Sequence, residues 1–424
     1  MVDSTDTPPS TDPAPSTSNP LEQLSLEALR GRRSAKWRAF GDEVLPLWVA
    51  EMDVPLAEPI AEALHGAIAR GDTGYPSGRA YAEALAGFAE QRWGWTVDVA
   101  HTSTAPDVMR GATEALKLVT EPDDPVVVAS PVYPPFFQYP SNAGRRVVQV
   151  PLAPSGRLDL AALEETFASV SRSSRTPAFL LANPHNPTGA VHTRTELEQL
   201  AVLSDRHGVR VIADEIHAPL VLGPADPTHD GGSHTGSATF TPYLTVDPRG
   251  ISLMSASKGW NLAGLKAAVM IAGEDAVEDL RRLPRIVAHG PSHVGVLAHT
   301  AAFEAGEPWL DALLEGLRAN RELLGRLLDE HLPQVRWTAP QGTYLAWLNF
   351  RGTGLPGLAE DVPRPGEETP LSGPAQFMLT HAGVALTGGA AFGDGGEGHA
   401  RLNMATSQAI LTEAVERMGR AARG

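Results

Sequence analysis

Between residues 105 and 272 short apolar runs alternate with amphipathic stretches, and this alternation leaves the chain few folds to choose from. The runs Val126–Ala129, Val147–Val150, Ala178–Ala182, Arg210–Ala213, Gly250–Met254 and Ala267–Ala272 are too short for helices and too apolar for exposed strands. Between or before them, Val108–Val119, Leu160–Ala168 and Thr195–His207 place apolar residues at helical spacing. Strands of this kind are buried on both faces, so the pattern predicts an α/β fold: a mostly parallel sheet with helices on both sides. No Gly-x-Gly-x-x-Gly follows any of the runs, which removes the dinucleotide-binding version of that architecture.

The flanks have a different texture. Residues 1–20 are rich in Ser, Thr, Pro and Asp, without the basic start and apolar stretch of a signal peptide, and are expected to form a disordered tail. A short helix is expected over Leu21–Arg30, followed by the apolar run Leu45–Ala50 and helices over Glu58–Arg70 and Arg79–Trp93. After Pro291 come a long helical stretch, Val294–His331, a strand over Gly342–Phe350, and helices near Ala375–His381 and beyond Ser407. Residues 223–242 and 351–374 are Gly- and Pro-rich and expected to be long exposed insertions, the second a mobile loop. The expected organisation is a tail (1–20), an N-terminal segment joining the smaller unit (21–57), a large domain (58–290) and a smaller α+β domain (291–424), for which 424 residues suffice. The chain has no cysteine, which excludes disulfides, a thiolate nucleophile and cysteine-ligated metal and fits a cytoplasmic protein. Its net charge of −16 argues against nucleic acid or an anionic membrane as partner. No apolar run approaches the roughly 20 residues of a membrane-spanning helix.

In parallel sheets ligands bind outside the carboxyl ends of the strands, and three predicted strand ends carry unusual polar residues. Ala182-Asn183-Pro184-His185-Asn186-Pro187-Thr188-Gly189 has two Asn-Pro pairs, more than a turn requires. Asp214-Glu215-Ile216-His217 places an acid at the end of a buried strand, where it caps a helix, enters a salt bridge or meets a ligand. Ser255-Ala256-Ser257-Lys258-Gly259-Trp260-Asn261 sets a lysine just past a strand; alone it fits a solvated loop equally well, but a partly desolvated lysine forms Schiff bases readily. Farther on, Arg401 lies among apolar residues in a predicted strand, as an internal ion pair or a fork for a carboxylate. One ligand uses all four: an aldehyde for Lys258, a pyridine nitrogen for Asp214, a phenolic oxygen for Asn186 and an α-carboxylate for Arg401. That is pyridoxal 5′-phosphate carrying an amino acid. His289, His293 and His299 are read as surface or site-mouth residues; no metal is expected, since no acidic motif accompanies them.

The chain resembles the fold-type I pyridoxal-phosphate enzymes, and more closely the cystathionine β-lyase-like (MalY/PatB) branch of the class I/II aminotransferase family. The resemblance rests on Lys36-Trp37, Leu45-Pro46-Leu47-Trp48-Val49-Ala50-Glu51-Met52-Asp53, Pro131-Val132-Tyr133-Pro134-Pro135-Phe136, the Asn183–Gly189 and Asp214–His217 strings, Gly342-Thr343-Tyr344-Leu345-Ala346-Trp347-Leu348 and Arg401-Leu402-Asn403. It implies a PLP-dependent transferase-like fold with a seven-stranded sheet. It implies that Lys258 binds the cofactor and moves the Cα proton, that Asp214 keeps the pyridine nitrogen protonated, and that Asn186 and His217 approach the ring's phenolic oxygen. Tyr133 would stack on the ring. Backbone N–H groups at Val108 and Met109, with Ser255, Ser257 and Lys266, would hold the phosphate. Tyr75 would reach the phosphate of a neighbouring subunit, which implies a homodimer with shared sites. Arg401, together with Asn186, would bind the substrate.

Three positions depart from the family pattern: Asp107 where Gly precedes the phosphate-binding helix, Lys266 where aminotransferases carry Arg, and Glu51 where Asp is usual. The expected activity is α,β-elimination of cystathionine or related cysteine S-conjugates to pyruvate, ammonia and a thiol. His217 favours this over an aminotransferase, which usually has Tyr there. A regulatory protein that binds the cofactor without turnover is the third alternative; the presence of Lys258, Asp214 and Arg401 weighs against it.

Overall fold

The computed structural model describes residues 18–174, 176–223, 238–358 and 373–424. Most of the predicted tail and of the two insertions lies outside the described residues. Pro20 is buried and opens a 3-10 turn whose first free N–H, that of Leu21, is capped by the Asn19 side chain, so packed structure begins just inside the stretch read as tail.

The predicted alternation forms one seven-stranded sheet. In spatial order its strands are Thr102–Ala105, Ala268–Ala272, Ile251–Met254, Arg210–Asp214, Ala178–Ala182, Pro125–Ser130 and Arg146–Pro151. The last five run parallel to one another; Ala268–Ala272 runs against them, and Thr102–Ala105, antiparallel to that strand, runs in their direction again. Successive side chains of a strand serve opposite faces. Val126 and Val128 accordingly join Ala112, Leu116 and Leu180 on one side, while Val127 joins Leu163, Phe167 and Leu200 on the other. The edge strand Thr102–Ala105 was not foreseen, because its Thr-Ser-Thr sequence has no apolar run. The helix Pro135–Asn142 was not foreseen either; Pro134, Pro135 and Pro140 made it read as a turn, although two of these prolines sit where a first helical turn tolerates them.

The expected single helical stretch after Pro291 is two helices, His293–Ala305 and Glu307–His331. They part at Gly306, where a Cβ would lie 2.5 Å from both the Ala302 carbonyl and the Trp260 indole nitrogen. Pro308 then starts the second helix. A four-stranded antiparallel sheet, Thr387–Gly388, His399–Asn403, Leu345–Asn349 and Arg336–Trp337, completes the smaller layer. Strand Leu45–Pro46 pairs in parallel with Val384–Ala385 and carries the N-terminal segment onto that layer.

Residues 48–53 cross between the two sheets, and side chains from both hold them. Asn403 Nδ2 donates to the carbonyls of Val49 (2.8 Å) and Glu51 (2.6 Å). Asn261, beyond Lys258, accepts from Met52 N (2.8 Å) and donates to Met52 O (3.0 Å). At the end of the segment the fully buried pair Lys36–Asp53 closes at 2.8 Å, and the Trp37 indole donates to the other Asp53 oxygen at 2.9 Å. Asp53→Ala strands a buried ammonium, so it is expected to cost about 3–5 kcal/mol, measured as a lowered denaturant midpoint.

Candidate active site

Three strand ends and the crossing segment enclose a cavity of about 250 Å³, lined by Ala50, Tyr133, Asn186, Asp214, His217, Ser255, Ser257 and Lys258 among others. Strand geometry explains the convergence. Asp214 is the last residue of its strand, Asn186 follows the neighbouring strand by four positions, and Lys258 follows the strand on the other side by four. The sheet order sets Ala178–Ala182 and Ile251–Met254 on either flank of Arg210–Asp214, so the three side chains come from adjacent strands.

Lys258 Nζ donates to the Ala50 carbonyl at 2.8 Å. Burial, and then the positive charge of Arg401, push its amine down to about 8, against the opposing pull of Asp214 and Glu51. Asp214 accepts from the Ile216 N–H at 3.1 Å, yet burial raises its carboxyl to about 7. The two groups are thus poised near neutrality in a desolvated site, where each charge is costly without a partner. Burial, Lys258 and Arg401 all hold His217 well below the ordinary imidazole range, so the ring is neutral, and its Nδ1 is buried without a partner among the described residues.

Arg401 is buried and pushed down to about 10 by that burial, which still leaves it charged at neutral pH. Among the described residues no carboxylate lies within ion-pair distance of it, so the internal ion pair allowed by the sequence is absent. Its guanidinium instead donates to Asn186 Oδ1 (3.1 Å), the Trp48 carbonyl (3.3 Å) and Thr387 Oγ1 (3.4 Å), packs over the Phe392 ring, and leaves Nε unpartnered. It stands behind Asn186 rather than on the cavity wall.

At the other end of the cavity, Asp107 caps the helix Val108–Val119 by accepting from Arg110 N at 2.8 Å. Its second oxygen meets Lys266 Nζ at 2.9 Å. The acid that departs from the family pattern is therefore neutralised by the lysine that also departs from it. Val108 and Met109, whose N–H groups open that helix and so have no intrahelical acceptors, line the cavity. Ser255 Oγ donates to the Ala267 carbonyl (2.8 Å) and accepts from Ser257 N (3.2 Å). Tyr75 is 90% exposed and lines no part of its own chain's cavity.

Two participants escaped the sequence. The Ala50 carbonyl accepts from Lys258 and also from Tyr344 Oη at 2.9 Å, and Tyr344 packs edge-on to His217. A backbone carbonyl has no signature in side-chain types; Tyr344 stood in a quoted motif without a role. Glu215 proves structural: fully buried, it accepts from Asn183 Nδ2 (3.0 Å), Tyr243 N (2.8 Å) and the Ser252 hydroxyl. Of the three histidines expected at the surface or at the mouth of the site, His293 pairs with Asp72 (3.1 Å), but His299 is fully buried, because it lies on the inner face of its helix. Among the described residues no three side chains converge as metal ligands.

Residues 44–418 match the family model for aminotransferase class I and II. A Mycobacterium leprae protein provisionally named a cystathionine beta-lyase is 56% identical over 96% of this chain and 98% of its own length. The cystathionine beta-lyase of Corynebacterium glutamicum is 34% identical over 93% of this chain and 98% of its own. A Corynebacterium diphtheriae crystal structure, described provisionally as a PLP-dependent beta-cystathionase, superposes with a TM-score of 0.82 at 33% identity, covering 95% of this chain and 98% of that one. With three strand ends and a buried, acid-free arginine gathered around one lysine, and with relatives matching nearly end to end, this chain belongs to the class I and II aminotransferase family.

Proposed function

We propose that this chain is a pyridoxal-phosphate-dependent carbon–sulfur lyase that eliminates a thiol from cystathionine or a related cysteine S-conjugate, leaving pyruvate and ammonia. The observation that carries this reading is the set of buried groups around Lys258 that lack a partner among the described residues: Arg401 has no acid and His217 Nδ1 no donor or acceptor, beside helix N–H groups that have no intrahelical carbonyl. An amino acid joined to pyridoxal phosphate has a carboxylate, a phenolic oxygen and a phosphate to offer them, so the residues fit the group.

When bound, the cofactor supplies an aldehyde for the amine and an electron sink for the carbon losing its proton. Lys258 holds it through the Nζ amine. With the cofactor bound, Lys258 would be the base that accepts the substrate's Cα proton. Asp214 keeps a proton at the pyridine nitrogen, and Asn186 donates to the phenolic oxygen with His217 beside it. Tyr133 packs against the ring. Arg401 fixes the α-carboxylate and thereby the direction of the Cα–H bond. After loss of the Cα proton the Cβ–S bond would break with its electron pair going to sulfur, the thiolate would leave and take up a proton as the thiol, and water would hydrolyse the remaining enamine to pyruvate and ammonia. Val108, Met109, Ser255, Ser257 and Lys266 hold the phosphate, and Tyr75 serves the site of a second subunit in a homodimer. We take the enzyme to be cytoplasmic, in keeping with a chain free of cysteine.

Holoenzyme given L-cystathionine is expected to release pyruvate; given paired amino and keto acids it is expected to accumulate little pyridoxamine form. Ready pyridoxamine formation without pyruvate would make the chain an aminotransferase. The lowered amine of Lys258 adds a pH prediction. The free amine falls about tenfold for each unit below pH 8. The rate at which apoenzyme captures pyridoxal phosphate should therefore climb with pH and level off near 8, read by stopped-flow absorbance. A rate flat between pH 6 and 8 would contradict a buried reactive amine.

A further inference from the structure

Behind the phosphate end of the cavity lies a buried polar cluster that the reaction does not use. The helix His293–Ala305 packs against the loop carrying Lys266: a Cβ at Gly295 would sit 3.1 Å from the carbonyls of Leu265 and Lys266, and Ser292 N donates to Lys266 O at 3.1 Å. One turn on, His299 points at the same loop. Its Nδ1 lies 3.1 Å from Tyr81 Oη and 3.4 Å from Ser255 Oγ, and the Leu265 backbone of the same loop also bonds to the ring. Tyr81 Oη is in turn 3.4 Å from the Ala267 carbonyl that takes the Ser255 hydroxyl at 2.8 Å. Tyr81, Ser255 and His299 are all at most 3% exposed. Burial pushes His299 down to about 4, so its ring is neutral and carries one proton on either nitrogen.

This arrangement has a spare hydrogen bond in it. Ser255 has one proton, now given to Ala267, and a phosphate at the cavity needs that proton. If Ser255 turns to the phosphate, the Ala267 carbonyl keeps only the long 3.4 Å bond from Tyr81 Oη, which weakens the pairing of a buried acceptor. Tyr81 restores it by shortening that bond. His299 accepts from Tyr81 at Nδ1 before the exchange, with its proton on Nε2; after it the ring changes tautomer, the proton moves to Nδ1, and Nδ1 donates to the Ser255 or Tyr81 oxygen. We propose that His299 and Tyr81 are positioning residues that free the Ser255 hydroxyl for the cofactor's phosphate by exchanging hydrogen bonds behind it.

The proposal rests on the pyridoxal-phosphate reading, and the test separates the two. Apoenzyme is titrated with pyridoxal phosphate, and the bound cofactor is fixed by borohydride and located by peptide mapping. Wild type failing to fix it at Lys258 would sink the underlying reading. Granted that attachment, His299→Leu, which keeps bulk but no polar atom, is expected to bind the cofactor about tenfold more weakly, the worth of one hydrogen bond to a charged group. His299→Asn, whose amide offers either a donor or an acceptor near the Nδ1 position, should restore most of the affinity. Tyr81→Phe should weaken binding to a similar degree and covers the case in which a His299 variant does not fold. Turnover at saturating cofactor should stay within about twofold of wild type in every folded variant, and the bound-phosphate ³¹P resonance should shift in His299→Leu but not in His299→Asn. Equal affinity of His299→Leu and wild type, or equal losses in the Leu and Asn variants, would overturn the exchange.

Discussion

Lys258→Ala is expected to reduce pyruvate formation from L-cystathionine by at least about 10³-fold, within the range lost when a positioned proton-transfer group is removed. It should also remove the visible absorbance of lysine-bound cofactor. Folding should survive the change. Burial holds the Lys258 amine below its ordinary range, so the native state gains little from its charge, and the Ala50 carbonyl keeps Tyr344 as donor. A thermal midpoint near that of wild type, with activity gone, separates chemistry from stability. A variant that retained the absorbance would show that another amine carries the cofactor.

Arg401→Leu should lower kcat/KM by about 10²–10³-fold, about 3–4 kcal/mol, inside the range of about 2–5 kcal/mol for removing one partner from a buried charged pair. The structure makes this change unusually clean, because among the described residues Arg401 has no acid of its own to be left stranded. Its neighbours Asn186, the Trp48 carbonyl and Thr387 are neutral. Arg401→Lys should recover only part of the loss, since an ammonium cannot present a planar fork. The decisive comparison uses an S-conjugate of cysteamine, which lacks the carboxylate: wild type and Arg401→Leu should handle it equally poorly. A defect that persists with that substrate would place the arginine in a structural role.

Much of this site could be read before any coordinates, for physical reasons. Asp214 ends an apolar run and Asn186 and Lys258 follow theirs by four positions, and parallel strands send such positions to one edge. Arg401 stood out because a guanidinium among apolar residues demands a partner. What stayed hidden has no local signature. The Ala50 carbonyl belongs to a segment whose course is fixed by Asn261 and Asn403, residues far away in sequence. The Thr102–Ala105 strand is recruited by its neighbour rather than by its own composition. The burial of His299, expected at the surface or the site mouth, was not foreseen because the helical face it occupies is set by Gly295 and the Lys266 loop, which periodicity alone does not reveal. The Asp107–Lys266 pair shows the converse: two departures that looked independent in the sequence meet at 2.9 Å.

The central claim is that the site breaks a carbon–sulfur bond. It is tested most directly by counting thiol and pyruvate released from L-cystathionine by holoenzyme while the cofactor absorbance is watched. One thiol for each pyruvate, with the cofactor returning to its starting spectrum after every turnover, is the predicted result. A keto acid that retains the thioether, formed with conversion of the cofactor to its pyridoxamine form and without thiol, would contradict it.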